Sequence, residues 1–151
     1  MASPRDRVHQ ALDAFLAEDG ELLGNDVAER TIAQRLAAHL QAAFPGWHVD
    51  CEYNRDMDLV KRLMYAIEPN GHVSNRDVQP DIIVHRRKTT QNLVVIEIKK
   101  TTNPEADDKD LLKLEAFIDQ LGYENACFLR LVAGPRGPGL AREVWMSAAG
   151  P

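Results

Sequence analysis

The sequence predicts an α/β domain in which a mixed central sheet is flanked by helices. Helical periodicity near the N-terminus gives way to three apolar runs of strand length, and a further helical pattern precedes a fourth such run. The composition of the 151 residues, 44% hydrophobic and 27% charged, is typical of an ordinary globular domain. Because neither an internal repeat nor a long linker interrupts the pattern, we expect a single domain spanning residues 1–151.

The first helix is predicted over residues 4–19. Ser3 is a suitable N-cap, Pro4 fits the first helical position, and Asp6 stands three residues after the cap. Apolar residues then recur at helical spacing until Asp19-Gly20 ends the pattern. We expect this helix to be an addition to a core that covers about residues 26–132.

A second helix is predicted from a cap at Asn25-Asp26 to about Phe44, where a Pro-Gly pair ends it. Its apolar stripe, followed back by one turn, reaches Glu29. A carboxylate is therefore expected in line with the core-facing residues, at the end of the helix where the stripe leaves the core.

Four apolar runs predict strands. They cover residues 47–53, 81–86, 93–99 and 125–132. The stretch 55–79 between the first two contains many turn residues and favours at most a short helix. A helix over about 107–121 separates the third strand from the fourth, and an edge strand is expected at about 142–147.

The charge is unevenly distributed. A net charge of −5 argues against nucleic-acid binding through bulk charge, but the segment from Asp81 to Lys100 holds five basic residues and only two acidic ones. The longest aliphatic run, residues 93–96, is far too short to span a membrane. The N-terminus has no apolar signal-peptide core, so a cytoplasmic location is expected.

The third strand carries the most informative residues. Its apolar residues occupy both faces, which is typical of a central strand that is buried on both sides. Glu97 and Lys99 stand two residues apart and therefore share a face. A buried carboxylate needs a partner or a metal. If the second and third strands pair as a hairpin, Asp81 at the start of one lies near Glu97 at the end of the other.

Two converging carboxylates beside a lysine form an oxygen site suited to Mg²⁺ or Mn²⁺. Such a metal polarises a phosphoryl oxygen and lowers the pKa of a bound water. Lys99 can offset the negative charge that develops on the phosphoryl group, and Glu29 would complete the set of acids. The alternative is a structural ion pair between Glu97 and Lys99 at a sheet edge, which so apolar a strand disfavours.

Pro80-Asp81 followed by Glu97-Ile98-Lys99 resembles the PD-(D/E)xK motif of the restriction-endonuclease-like nuclease superfamily. The element order over residues 26–132, about two thirds of the chain, is similar to the core of that superfamily, which is a helix, three strands, a helix and a strand. The resemblance implies that Asp81 and Glu97 bind the divalent metal and that Lys99 is the catalytic lysine. It also implies that Glu29 is the acid often supplied by the first core helix.

Further segments, EYNR, PDIIVHRR, VIEIKK and DKDLLKL, are similar to small bacterial members of the same superfamily. That likeness and the distribution of basic residues give the candidates for substrate binding, which are Arg55, Lys61, His85, Arg86, Lys100 and Lys113. Each basic residue has the alternative of a solvated surface position. His85 has the alternative of a hydrogen-bonded histidine within the sheet.

These observations favour a divalent-metal-dependent nuclease that hydrolyses phosphodiester bonds of nucleic acid, with DNA as the expected substrate. The alternative is an inert nuclease-like fold that serves as a nucleic-acid- or protein-binding module, since motif residues can outlive activity. A third possibility is a structural protein with an incidental acidic cluster, in which the two carboxylates would lie far apart. For so small a domain we expect a homodimer or a place in a larger complex.

Overall fold

The computed structural model describes residues 2–51 and 79–148. In chain order the described elements are α1 (Pro4–Asp19), α2 (Glu21–Gly24), α3 (Glu29–Ala43), β1 (His48–Cys51), β2 (Ile82–His85), β3 (Asn92–Lys100), α4 (Asp108–Leu121), β4 (Asn125–Val132) and β5 (Gly139–Ser147). The predicted α/β class, with a mixed sheet flanked by helices, is confirmed. The end of the first predicted strand and the short helix expected within 55–79 lie outside the described residues.

The strands form one sheet in the order β1-β2-β3-β4-β5. Of the strands in the described residues, only β3 and β4 are parallel neighbours, whereas the other neighbours are antiparallel. A parallel pair needs a crossover connection, and α4 supplies it. Strand β3 therefore has a neighbour on either side, and its residues 94–99 are buried, as predicted for a central strand.

Helices cover the two faces of the sheet. On one face, Ile96 and Ile98 of β3 pack in a core with Leu36 of α3 and residues of α1. On the other face, Val95 packs with Phe117 of α4. Because side chains alternate along a strand, Glu97 and Lys99 project from the face that α4 covers.

The start of α1 is as predicted. Ser3 is the N-cap, and the Asp6 backbone N–H donates to Ser3 Oγ at 3.1 Å. In return the Ser3 N–H donates to Asp6 Oδ2 at 3.2 Å, which completes a capping box. Two of the N–H groups that a helix start leaves without partners are satisfied in this way.

The predicted start of the second helix, which is the first helix of the core, is wrong. The helix α3 begins at Glu29 with Ala28 as N-cap. Asp26 does not cap it, because its side chain binds Lys100 and Thr102 instead. Asp26 has a φ of +51°, and its Oδ1 accepts hydrogen bonds from Lys100 Nζ at 2.9 Å and from Thr102 Oγ1 at 2.8 Å. Asp26 thus ties the start of α3 to the end of β3, and Glu29 becomes the first residue of the helix.

The C-terminal part of the chain contains the predicted helix and edge strand, and the edge strand is longer than predicted. Helix α4 ends where expected, since Gly122 follows it with a left-handed φ of +69°. The edge strand β5 is longer than the predicted 142–147 and begins at Gly139, pairing with β4 along nearly its whole length. In the part of the chain that the structure describes, none of the helices has the length and apolar character needed to cross a bilayer.

Candidate active site

The β2–β3 hairpin brings Asp81 and Glu97 together, as the sequence predicted. Ile82 pairs with Ile96, so the residues that flank this pair face each other at the end of the ladder. The Asp81 backbone N–H donates to Glu97 Oε2 at 2.7 Å. The Ile98 backbone N–H donates to Asp81 Oδ2 at 2.8 Å. Each carboxylate is therefore fixed by the backbone of the opposite strand, and the possibility of widely separated carboxylates is wrong.

Burial and the nearby Glu97 both change the pKa of the Asp81 carboxyl. Burial raises the pKa of the Asp81 carboxyl well above its usual value, and the negative charge of Glu97 raises it further. Lys113 and the Ile98 N–H act in the opposite direction, but they do not compensate. Two like charges in a poorly hydrated site favour the binding of a proton or a cation.

Lys113 lies next to this carboxylate pair. It is 8% exposed, its Nζ lies 2.5 Å from Glu97 Oε1, and it donates to the Gln79 carbonyl at 2.7 Å. Burial alone would lower the pKa of Lys113, but the charges of Glu97 and Asp81 outweigh this effect and raise the pKa. The ammonium group therefore stays charged. The structure places this predicted substrate-binding residue at the site, in a direct ion pair with Glu97.

Lys99 stands two residues after Glu97 and projects from the same face of β3. It is 5% exposed and donates to the Ala106 carbonyl at 3.2 Å and to the Asp110 carboxylate. Glu97 thus pairs with Lys113 and Lys99 with Asp110, both of which belong to α4. Because β3 is a central strand and each residue has its partner on α4, the alternative of an edge-strand ion pair between Glu97 and Lys99 is wrong.

Glu29 reaches the site from the first position of α3. Its Oε1 accepts a hydrogen bond from Asn103 Nδ2 at 2.8 Å. Asn103 belongs to the connection between β3 and α4, so this bond joins the start of one helix to the end of the central strand. The predicted position of Glu29, at the end of an apolar helical stripe, places it in the lining of the pocket.

Together these residues line a polar pocket of about 310 Å³ between the starts of α3, β2 and α4 and the end of β3. Five acidic and four basic side chains line it, and the acidic ones are Glu29, Asp81, Glu97, Glu105 and Asp110. The basic ones are Arg30, Lys99, Lys109 and Lys113. Its volume is at the lower end of the range typical of small-molecule sites. The charges nearly balance, which suits a cation and an anionic group bound together.

The oxygen ligands at the centre fit a hard divalent cation. Mg²⁺ is commonly held by one or two carboxylates, with water and substrate oxygens completing its coordination. Asp81 and Glu97 are such a pair, and the pKa of Asp81 is raised first by burial and then by repulsion from Glu97, both of which a bound cation would offset. Within 2–51 and 79–148, no group of three or more His, Cys, Asp or Glu side chains is gathered as for a metal ion. The described residues therefore bring together two of the three predicted acids, with Glu29 elsewhere in the lining.

Two predicted substrate-binding residues lie outside the pocket lining, at the other end of the β2–β3 hairpin. His85 is buried, and its Nε2 lies 2.7 Å from Asp50 Oδ2. The Arg86 guanidinium lies 4.0 Å from the centroid of the Trp47 ring and donates to the Gly46 carbonyl at 3.2 Å. His85 does share the face of Ile83, as the alternation predicted, but it is the last residue of β2, whereas Asp81 precedes the first residue of that strand. The expectation that these two residues belong to the substrate site is therefore not supported by their positions.

Lys100, another predicted substrate-binding residue, is also separate from the pocket lining. Lys100 projects from the opposite face to Lys99, and its Nζ pairs with Asp26. Arg55 and Lys61 lie outside the described residues. The basic centre expected between residues 81 and 100 is consequently divided, since Lys99 alone of its five cations lines the pocket.

Sequence reasoning did not identify the connection between β3 and α4 as part of the site. Asn103 and Glu105 line the pocket from this connection, and no periodic pattern marks them. Lys113 was predicted from the likeness of its segment, and the helical pattern also carries a signal for its place in the site. Lys113 stands four residues before Phe117 within the apolar stripe of α4, so a cation is placed on a face that should be buried.

Comparison of the chain with protein-family models, with curated proteins and with solved structures found no match.

Proposed function

We propose that this chain is a divalent-metal-dependent nuclease with a restriction-endonuclease-like core, which hydrolyses phosphodiester bonds of nucleic acid, DNA in the first instance. The observation that carries the proposal is the convergence of Asp81 and Glu97 at the end of a hairpin, beside the buried Lys99, in an open polar pocket. Among the described elements, the order helix, three strands, helix and strand from Glu29 to Val132 also supports it.

Asp81 and Glu97 would hold a Mg²⁺ or Mn²⁺ ion through their carboxylate oxygens. A bound ion of this kind supplies positive charge that polarises a phosphoryl oxygen and makes a water molecule more acidic. Glu97 is well prepared for the task, because Oε2 accepts the Asp81 N–H and Oε1 contacts Lys113. Its orientation is thus fixed before any ligand arrives, which reduces the reorganisation needed during the reaction.

Lys99 would stabilise the negative charge that develops on the phosphoryl group. Its ammonium lines the pocket two residues after Glu97 on the same strand face. Contacts with Asp110 and the Ala106 carbonyl hold the side chain in place. A charge oriented in advance in a poorly hydrated site contributes more to catalysis than the same charge in water.

A cleavage assay tests the proposal. Single-stranded, duplex and branched DNA, and RNA of the same sequences, are incubated with the chain in Mg²⁺ or Mn²⁺ and with chelator. We expect metal-dependent cleavage that falls by at least about 100-fold in Asp81→Asn and in Lys99→Met. The matched controls Asp119→Asn and Lys88→Met change exposed residues outside the pocket lining and should retain activity. Cleavage that persists in both site variants would contradict the proposal.

One observation favours the alternative of a binding module without catalysis. Both central lysines already pair with acidic residues, Lys113 with Glu97 and Lys99 with Asp110. A site neutralised in this way is stable without a metal. Titration with Mn²⁺ distinguishes the two proposals, because the nuclease should show a rise in Tm that depends on metal concentration. A Tm that is independent of Mn²⁺, together with retention of nucleic acid in a gel-shift assay, would favour the binding module.

A further inference from the structure

The connection between β3 and α4, residues 101–107, forms one wall of the pocket. Asn103 Nδ2 donates to Glu29 Oε1 at 2.8 Å, and the Ala106 carbonyl accepts from Lys99 Nζ at 3.2 Å. Glu105 Oε2 lies 3.9 Å from the same ammonium. Two residues of the proposed active site, Glu29 and Lys99, are therefore oriented by a segment without regular secondary structure.

One side chain from the neighbouring strand makes hydrogen bonds along most of this segment. Arg130 of β4 donates through one terminal nitrogen, Nη1, to the Lys100 carbonyl at 2.9 Å and to the Asn103 carbonyl at 3.0 Å. Its other terminal nitrogen, Nη2, donates to the Glu105 carbonyl at 2.8 Å, and Nε donates to Asp107 Oδ1 at 3.1 Å. These four acceptors extend from the last residue of β3 to the N-cap of α4.

The register explains why Arg130 reaches this segment. Arg130 pairs with Lys99 in the parallel β3–β4 ladder, so the two side chains project from the same face of the sheet. Asp107 balances the charge of the guanidinium and also accepts from Arg142 Nη1 at 2.6 Å. Only arginine offers five donors in a rigid planar fork, and a lysine ammonium could satisfy at most three acceptors in a compact arrangement.

We propose that Arg130 is a positioning residue of the active site, which fixes the 101–107 segment so that Asn103 and the Ala106 carbonyl orient Glu29 and Lys99. Arg130 itself is outside the pocket lining, so it acts through the segment. The consequence for catalysis rests on the proposed nuclease function, whereas the fixing of the segment is independent of it.

The test compares Arg130→Gln with Arg142→Gln in the 151-residue chain. Arg142 also binds Asp107, but none of its hydrogen bonds described here reaches a carbonyl of the segment, so it is a matched control. Amide hydrogen exchange is measured for residues 101–107 and, as an internal reference, for the core of α3. The side-chain ammonium signal of Lys99 is followed by NMR, because its buried hydrogen bonds should slow its exchange with water.

In Arg130→Gln we expect exchange at 101–107 to accelerate at least tenfold while the α3 core is unchanged, and the Lys99 ammonium signal to broaden or disappear. In Arg142→Gln the exchange rates at 101–107 should stay within about twofold of those in the unmodified chain. General destabilisation would accelerate both regions, so the Lys99 signal and the α3 reference separate positioning from stability. If Arg130→Gln does not fold, Arg130→Lys, which keeps the charge but lacks the fork, should release the segment in the same way.

The proposal is overturned if folded Arg130 variants leave the segment and the Lys99 signal unchanged, or if Arg142→Gln has an equal effect. Where the unmodified chain cleaves nucleic acid, kcat should fall in Arg130→Gln with KM changed less than about threefold. Where the chain shows no cleavage, the nuclease proposal fails, but the exchange measurements still decide whether Arg130 fixes the segment.

Discussion

Removal of the Lys113 ammonium should make the metal-free protein strongly dependent on pH for its stability. Lys113 and Glu97 are 8% and 2% exposed, and their charged atoms lie 2.5 Å apart. At an effective dielectric constant of about 20, two unit charges at this separation attract by about 7 kcal/mol. Relaxation recovers part of this energy, and the removal of one partner from a buried ion pair typically costs about 3–5 kcal/mol. We expect Lys113→Met to lower the free energy of unfolding by this amount at pH 8.

The loss should become smaller as the pH falls. Lys113 lowers the pKa of Asp81, which burial and Glu97 raise, so the variant raises that pKa further. A carboxyl whose pKa is higher in the folded state stabilises the protein below its unfolded pKa. That contribution disappears as the pH rises through the folded pKa, by about 1.4 kcal/mol per pH unit between the two values. The penalty for Lys113→Met is consequently greatest at high pH.

Urea unfolding in the presence of chelator, at pH 5 and pH 8, measures the effect. Lys109→Met is the matched control, since Lys109 is exposed one helical turn earlier, and it should lose less than about 0.5 kcal/mol. Addition of Mg²⁺ should restore part of the stability of Lys113→Met, because the cation replaces the missing charge. A loss below about 1 kcal/mol, or a loss equal at both pH values, would refute the electrostatic reasoning.

Three further predictions concern the site and the fold. In chelator, Asp81→Asn should gain stability relative to the unmodified chain as the pH rises from 5 to 8. The reason is that the amide avoids the negative charge that burial and Glu97 disfavour. Urea unfolding in which the stability difference shows no trend with pH would contradict this. Ser3→Ala should lose about 1 kcal/mol through the loss of the α1 cap, and an unchanged unfolding midpoint would count against that cap. Leu36→Ala should lose about 2–5 kcal/mol of unfolding free energy in the same assay. Leu112→Ala, at a position 46% exposed, should lose far less. Equal losses would contradict the packing of α3.

The sequence was sufficient to predict the convergence of Asp81 and Glu97 because the evidence for it is local. Two apolar strands joined by a short polar turn form a hairpin, and alternation then fixes which residues share a face. The central position of β3 also followed from its apolar residues, which occupy both faces. These parts of the site required no knowledge of how distant elements pack.

The ion pairs made by Lys99 and Lys113 could not be predicted, because they depend on how α4 is rotated and placed over the sheet. The start of α3 was mispredicted for a similar reason. Asp26 has the chemistry of an N-cap, but Lys100 and Thr102, more than 70 residues later in the chain, bind its side chain. A local preference worth about 1 kcal/mol was outweighed by contacts that only the tertiary structure provides.

The position of His85 shows the limit of reasoning from faces. The alternation correctly assigned it to the face of Ile83, but the position along the strand separates it from Asp81. Its partner Asp50 belongs to β1, and the pairing of β1 with β2 joins residues more than 30 positions apart. Register between such distant segments is set by the packing of the whole sheet and has no local signature.

The most direct test of the central claim is a calorimetric titration of Mn²⁺ into the chelator-treated chain. If Asp81 and Glu97 share one divalent cation, the unmodified chain should bind close to one Mn²⁺, and Asp81→Asn should bind it at least about tenfold more weakly. Asp119→Asn, which changes an exposed carboxylate of α4, should bind Mn²⁺ like the unmodified chain. Equal affinity in all three proteins, or no binding by the unmodified chain, would contradict a metal centre at the end of the β2–β3 hairpin.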